Sequence, residues 1–221
     1  MDATARRYEL TFDPAALLAL KLLAFGVMIA DHADMFFGTG QGVHALVGRI
    51  VFPIFGIVFA FNLARMAEKK VEQLATRLLA IGAASQLLYA YLQGAWLPIN
   101  VLVSLALAAL MFGAINRRAW LLGLAAFGLS PFVDYSMWGV CGIVGMAIAF
   151  RDGAAWQKHC AVFGFVLSLG LTNGTQWALL ALPIVYVAAA VRAGAAPRLK
   201  WLFYVGYPVH LLVLAIFKLG G

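Results

Sequence analysis

The charged residues of this chain fall into clusters, and between the clusters lie nine apolar runs, each bounded by Gly, Pro or charge. The runs fall near 15–36, 43–65, 74–93, 97–116, 119–133, 137–150, 158–173, 175–192 and 201–218. A helix that crosses a bilayer needs about 20 apolar residues at a rise of about 1.5 Å each. The fifth, sixth and seventh runs are shorter, and are expected as tilted elements near the interior or as a re-entrant pair. A soluble alternative fails on composition, because 64% of the chain is apolar and 11% charged, against about one quarter charged in soluble domains. The expected fold is therefore all-α, a polytopic transmembrane helix bundle of about nine spans. A short cytoplasmic or interfacial tail over residues 1–14 would precede a single transmembrane domain over 15–221.

Lys and Arg orient the bundle. Fourteen of the 16 basic residues collect on one side of the bundle: Arg6, Arg7, Lys21; Arg65, Lys69, Lys70, Arg77; Arg117, Arg118; Arg151, Lys158; Arg192, Arg198, Lys200. The intervening loops, near 37–42, 93–98, 131–137 and 173–175, carry neither. The positive-inside rule then predicts a cytoplasmic N-terminus and, after nine spans, an external C-terminus. The basic charge follows from topology, and no nucleic acid partner is expected. A cleaved signal peptide would fit Arg6 and Arg7 before an apolar run, but Lys21 interrupts that run and eight more follow, so a retained helix is expected. Cys141 and Cys160 show no Cys/His ligand spacing; no metal is expected, and both read as small buried hydrophobes.

Ionisable groups inside apolar spans are costly and therefore candidates for function. Asp31, His32 and Asp34 lie in the outer part of the first run, Arg49 in the outer third of the second, and Asn100 opens the fourth. Asp134, Tyr135 and Trp138 form the outer turn between the fifth and sixth. Positions from distant stretches thus share one depth, as an outward-facing polar pocket would require. Each also has a structural reading. Asp31 and Arg49 can form an ion pair that fixes two helices, Asp34 and Asp134 can be solvated near headgroups, and His32 can be a satisfied structural histidine. One position apart, Asp31 and His32 do not share a helix face, so His32 needs a partner from another helix, with Arg49 or a substrate amine as the candidates. His210 follows Pro208 in the ninth run, where a kink is expected and a packing role competes with a functional one. His44 and His159 read as structural or solvated. Lys21 can snorkel to the interface or receive an anionic group from the cytoplasm. Arg65, Lys69, Lys70 and Arg77 make a basic loop that can be a topology signal or a phosphate-attracting mouth. Gly139, Gly142 and Gly145, every third residue, permit close helix approach. The chain lacks G-x-G-x-x-G, Walker, G-x-S-x-G and H-E-x-x-H motifs, which removes the usual soluble-enzyme readings.

Five blocks carry a family resemblance: LKLLAFGVMIADH (Leu20–His32), GRIVFPIFGIVFAF (Gly48–Phe61), LPINVLVSLAL (Leu97–Leu107), DYSMWGVCGI (Asp134–Ile143) and FYVGYPVHLLVLAIFK (Phe203–Lys218). In this order, from about residue 20 to 218, they resemble the TraX family, which includes TrbP-like conjugal transfer proteins. The motif positions carried over are Lys21, Asp31, His32, Gly48, Arg49, Pro53, Asn100, Asp134, Tyr207, Pro208 and His210. Asp34, where many members have a small or apolar residue, and Gly206, inside the last motif, depart from the pattern.

The resemblance implies a multi-pass acetyltransferase of the bacterial inner membrane, with acetyl-CoA as donor and the N-terminal amine of an F-type conjugative pilin subunit as acceptor. His32 is then expected as general base, with Asp31 or Asp134 orienting it or holding the amine. Arg49 and Asn100 would stabilise the oxyanion or anchor the thioester carbonyl. Trp138, Tyr207 and His210 would line the substrate site, and Lys21, Arg65, Lys69, Lys70 and Arg77 would steer the CoA phosphates. A non-catalytic pilus-assembly factor, a small transporter, or a transferase acting on a cell-surface glycan are the alternatives.

Overall fold

The structure, a computed structural model, describes residues 9–38, 47–191, 194–197 and 199–220. Arg6, Arg7, His44, Arg192 and Arg198 lie outside the described residues. Those residues form nine α-helices and no strand, as an all-α bundle requires. The helices are α1 Pro14–Phe37, α2 Val51–Ala64, α3 Glu68–Gln93, α4 Val101–Asn116, α5 Trp120–Leu129, α6 Ser136–Asp152, α7 Ala155–Asn173, α8 Ala181–Ala190 and α9 Lys200–Gly220. Single 3-10 turns at Ser130–Phe132 and Trp177–Leu180 extend α5 and precede α8.

Helix ends follow local chemistry more closely than apolarity does. Asp13 caps α1 by accepting the Ala16 N–H at 2.9 Å, with Pro14 at the first helical position, where its missing N–H costs nothing. The third apolar run begins at residue 74, but α3 starts six residues earlier. Glu68, Lys69, Lys70, Glu72 and Gln73 are good helix formers and need no apolar partner. Lys69, Lys70 and Arg77 therefore stand on a helix, where a loop was expected. The second run is helical from Val51, and the fourth only from Val101, because Asn100 caps it. Pro131 turns the end of the fifth run into a 3-10 turn, lacking the N–H that would continue the α-helix.

Two helices, Pro14–Phe37 and Trp201–Gly220, are long and apolar enough to cross a bilayer; Val51–Ala64, Val101–Asn116, Trp120–Phe132 and Trp177–Ala190 are shorter apolar segments. α2 is the central helix, with eleven of its 14 residues buried. It packs between α1 and α6, and α3 pairs with α4 and α9. The outside of the bundle is also apolar: Leu121 is 84% exposed, with Leu124, Leu171, Phe217 and Leu219 similarly bare.

One end gathers the charged contacts. Lys158 reaches Glu9 at 2.8 Å, Arg117 pairs with Glu72, and Arg151 with Asp152. Leu10 and Phe12, in the described part of the tail, are buried, and Phe12 meets Phe61 edge-on at 5.1 Å. At the opposite end Lys218, in the last turn of α9, donates to the carbonyls of Tyr91 and Leu92 at 3.2 and 2.8 Å. Those carbonyls end α3 and lack intrahelical donors, so the ammonium serves as their cap.

Glycines seat aromatic rings between helices. A β-carbon at Gly142 or Gly56 would strike Phe165, and one at Gly139 would strike Tyr135 and Phe52. Gly145, the third of that series, faces open space. Cys141 is half-buried and Cys160 exposed, against the expectation that both are interior, because Cys160 falls on the outer side of α7.

Candidate functional site

The site begins with two histidines 178 residues apart. His32, on α1, places Nδ1 at 2.8 Å from Nε2 of His210 on α9, and the rings stack with centroids 5.0 Å apart. Two helices approach this closely because Gly206 leaves room for Phe25: a β-carbon there would lie 2.5 Å from the Phe25 ring. Phe25 in turn meets Phe203 and His210 edge-on. The Gly206 departure from the family motif is thus what seats α1 on α9.

The partners assign the tautomers. His210 Nδ1 lies 3.2 Å from the Gly206 carbonyl, which can only accept, so Nδ1 carries a proton. Neutral His210 then presents a bare Nε2, and His32 must donate to it from Nδ1. That leaves His32 Nε2 as the lone-pair nitrogen, the atom a general base needs. A residue read as a packing or substrate-binding histidine thereby becomes the group that orients the other.

Beside the pair lies a polar cluster from α1, the segment before α2, and the turn before α6. Gly48 has no side chain because Asp31 occupies the space: a β-carbon at residue 48 would collide with the Asp31 carboxylate. Arg49 donates from Nη1 to Asn173 Oδ1 at 3.1 Å. Asp134 lies within electrostatic reach of Arg49 and Asp31. Its backbone is pinned on both sides, the N–H donating to the Ile99 carbonyl at 2.7 Å and the carbonyl accepting from Ser104 at 2.6 Å. The first of these bonds belongs to a parallel bridge between Ile99 and Val133, which ties the turn to the segment ahead of α4. The next residue, Tyr135, takes a left-handed backbone at φ 61°, uncommon for a side chain of this size. Its ring stacks on Phe52 at 3.7 Å and 3°. Burial pushes the Asp134 carboxyl, in this interhelical turn, up to about 6, opposed by the Tyr135 N–H and by Arg49, and abetted by Asp31.

The remaining sequence candidates divide. Tyr207 is 3% exposed, meets His210 at 5.2 Å between ring centroids, and its hydroxyl finds no hydrogen-bond partner among the described residues. Asn100 is fully buried and fully employed: Nδ2 donates to the Gly82 carbonyl and to Gln86 Oε1, each at 2.8 Å, while Oδ1 accepts the Leu102 N–H at 3.1 Å. Trp138 is largely exposed on the first turn of α6. Lys21 sits over the Phe203 ring at 5.8 Å and Arg65 over Phe61 at 5.0 Å. Arg77 is within electrostatic reach of Tyr204, and Lys69 and Lys70 are exposed. Sequence reasoning missed Asn173 and Gln86. An amide in an apolar run is the signal that would have flagged each, as it flagged Asn100.

The chain matches the family model described as TraX protein over residues 16–218. Protein TraX of Escherichia coli is 27% identical over 228 residues, covering 95% of this chain and 90% of that protein. The Protein TraX of strain K12 matches at the same identity and coverage. No solved structure matches.

Proposed function

The chain belongs to the TraX family, and from that membership together with the site geometry we propose that it is a membrane-embedded N-acetyltransferase. It moves an acetyl group from acetyl-CoA to the N-terminal amine of a conjugative pilin subunit. The membrane reading is supported by two helices of crossing length and by the bare apolar exterior, which water would penalise. With nine spans, the basic end would face the cytoplasm and the cluster around Asp134 the outer side of the inner membrane.

The observation that carries the chemistry is the His32–His210 pair. His32 Nε2 takes the proton from the attacking amine, and His210 holds the His32 ring in the tautomer that leaves this nitrogen bare. The pair performs the orienting task that a carboxylate performs for histidine in other acyl-transfer sites. Asp31 and Asp134 offer carboxylates to a cationic amine, and Arg49 offers a donor for developing negative charge. Lys21, Arg65, Lys69, Lys70 and Arg77 are the residues that would meet the CoA phosphates.

His32→Ala, with folding verified, is expected to abolish acetylation of a co-expressed pilin, read by intact mass. Unchanged pilin mass between cells with and without the wild-type protein would favour an assembly factor instead. Acetate on a glycan would move the acceptor.

A further inference from the structure

Two cavities meet at one lysine. The first, about 380 Å³, lies between α1, α2, α3, α4 and α9; the second, about 370 Å³, lies between the start of α1 and Ala195–Pro197. Lys21 and Phe203 line both, and Lys21 is the one charged residue among the described residues lining either. Its ammonium meets the face of the Phe203 ring at 5.8 Å but, among the described residues, no carboxylate and no hydrogen-bond acceptor. A cation in apolar surroundings without a counter-ion is costly, so the site is chemically incomplete until an anion enters.

The first cavity determines what carries that anion. Along α2 its wall runs from Phe55 to Met66, eleven residues or about 16 Å at the helical rise. That length matches one leaflet's half of a hydrocarbon core about 30 Å thick, the depth of one acyl tail. Beyond Lys21, the polar residues of the wall are Asn62, Tyr204 and Tyr207. Asn62 Nδ2 is spent on the Val58 carbonyl at 2.7 Å, and the buried Tyr207 hydroxyl does not open into the cavity. Tyr204 lies within electrostatic reach of Arg77, which sets a second cation near the Lys21 end. On either side of that end Leu22, Leu23 and Leu202 are exposed, so the lysine stands beside surface that a bilayer would cover.

We propose that Lys21 anchors an anionic phospholipid of the cytoplasmic leaflet. Its phosphate meets the ammonium, one acyl tail fills the cavity between the helices, and its headgroup turns toward Ala195–Pro197. Basic pockets between spanning helices on the cytoplasmic side bind such headgroups. A CoA arm fits this wall less well, because its two amides would be stripped of water against Phe, Met, Leu and Val side chains. The assignment leaves Arg65, Lys69, Lys70 and Arg77 for the phosphates of the acetyl donor. The lipid would bridge α1 and α9, the two helices that bring His32 to His210. The inference rests on the proposed membrane setting and is independent of acetyl transfer.

The test places the full chain in lipid nanodiscs of equal parts phosphatidylglycerol and phosphatidylethanolamine. The protein is then released into mild detergent and its retained lipid identified by native mass spectrometry. Wild type is expected to hold phosphatidylglycerol about fivefold over phosphatidylethanolamine, the discrimination one cation beside anionic lipid supplies. Lys21→Gln should lose that preference and Lys21→Arg keep it. Leu105→Trp, which fills the tail cavity, should reduce retention of both lipids. Should Lys21→Gln not fold, Lys21→Arg and Leu105→Trp decide the matter. Equal retention by wild type, a preference that survives Lys21→Gln or is lost in Lys21→Arg, or undiminished retention by Leu105→Trp would overturn the site. So would displacement of the lipid by acetyl-CoA, which would return Lys21 to the donor. A chain recovered from cells without detergent would overturn the membrane setting and the lipid site together. One that needs detergent yet holds both lipids equally would overturn the lipid site alone.

Discussion

The carboxylate of Asp31 rests on the α-carbon of Gly48, in the space that a β-carbon at residue 48 would occupy. Two segments of the polar cluster are thereby locked face to face, with Arg49 one residue beyond the contact. Gly48→Ala is expected to displace Asp31 and to destabilise the protein by about 1–3 kcal/mol, the usual cost of overpacking. It should also depress the proposed acetyl transfer. Gly145→Ala is the control, since a β-carbon there meets nothing within 4 Å. It should hold or raise the thermal unfolding midpoint, and both variants can be measured in the same nanodiscs.

His210→Phe keeps an aromatic ring against Phe25 and Tyr207 but removes the acceptor for His32 Nδ1. The His32 ring is then free to change tautomer and orientation. The expected result is a fall in kcat of about 100-fold, the low end for a displaced general base, with KM for the amine preserved and the pH profile of kcat altered. A change confined to KM would assign His210 to substrate binding and would count against the orienting role.

Asn100→Asp is nearly isosteric, yet it sets a carboxylate against two acceptors, Gln86 Oε1 and the Gly82 carbonyl. A loss of about 3 kcal/mol is expected from two broken bonds and a buried charge facing oxygen. Thermal unfolding measures it. Asn100→Asp at wild-type stability would mean that the amide network does not hold α3 to the start of α4.

Burial pushes the Asp134 carboxyl up to about 6 in the folded protein, above the ordinary carboxylate range. The folded state therefore favours the protonated acid. That contribution to stability is complete below the unfolded value and is lost as pH rises through about 6. Asp134→Asn removes the ionisation, so its stability relative to wild type should rise between about pH 4 and pH 7. Unfolding midpoints collected across that range give the answer, and a constant difference would refute it.

How much of this was legible beforehand varies by residue. The apolar runs located nearly every helix, because burial or lipid contact demands apolar side chains along the whole length of a segment. They misplaced the ends wherever capping or propensity overrode apolarity, as at Glu68 and Asn100. Asp31, His32, Arg49 and Asp134 stood out because ionisable groups are scarce among apolar neighbours. Their pairing did not. His32 needed a partner from another helix, but nothing local to residue 32 points to residue 210, and the contact depends on Gly206 admitting Phe25. Asn173 closes its apolar run, where a lone amide looks like a helix end. Its bond to Arg49 spans 124 residues.

The hydrogen-bond chain from His32 through His210 ends on the Gly206 carbonyl, an amide oxygen with no exchangeable proton. A proton that enters at His32 Nε2 can move as far as His210 and no farther, so it must leave by the nitrogen through which it came. The pair is a reservoir rather than a wire. In the proposed bilayer setting, where two aqueous phases differ in proton activity, this dead end would let the proposed base work in the interior without opening a path for proton leak.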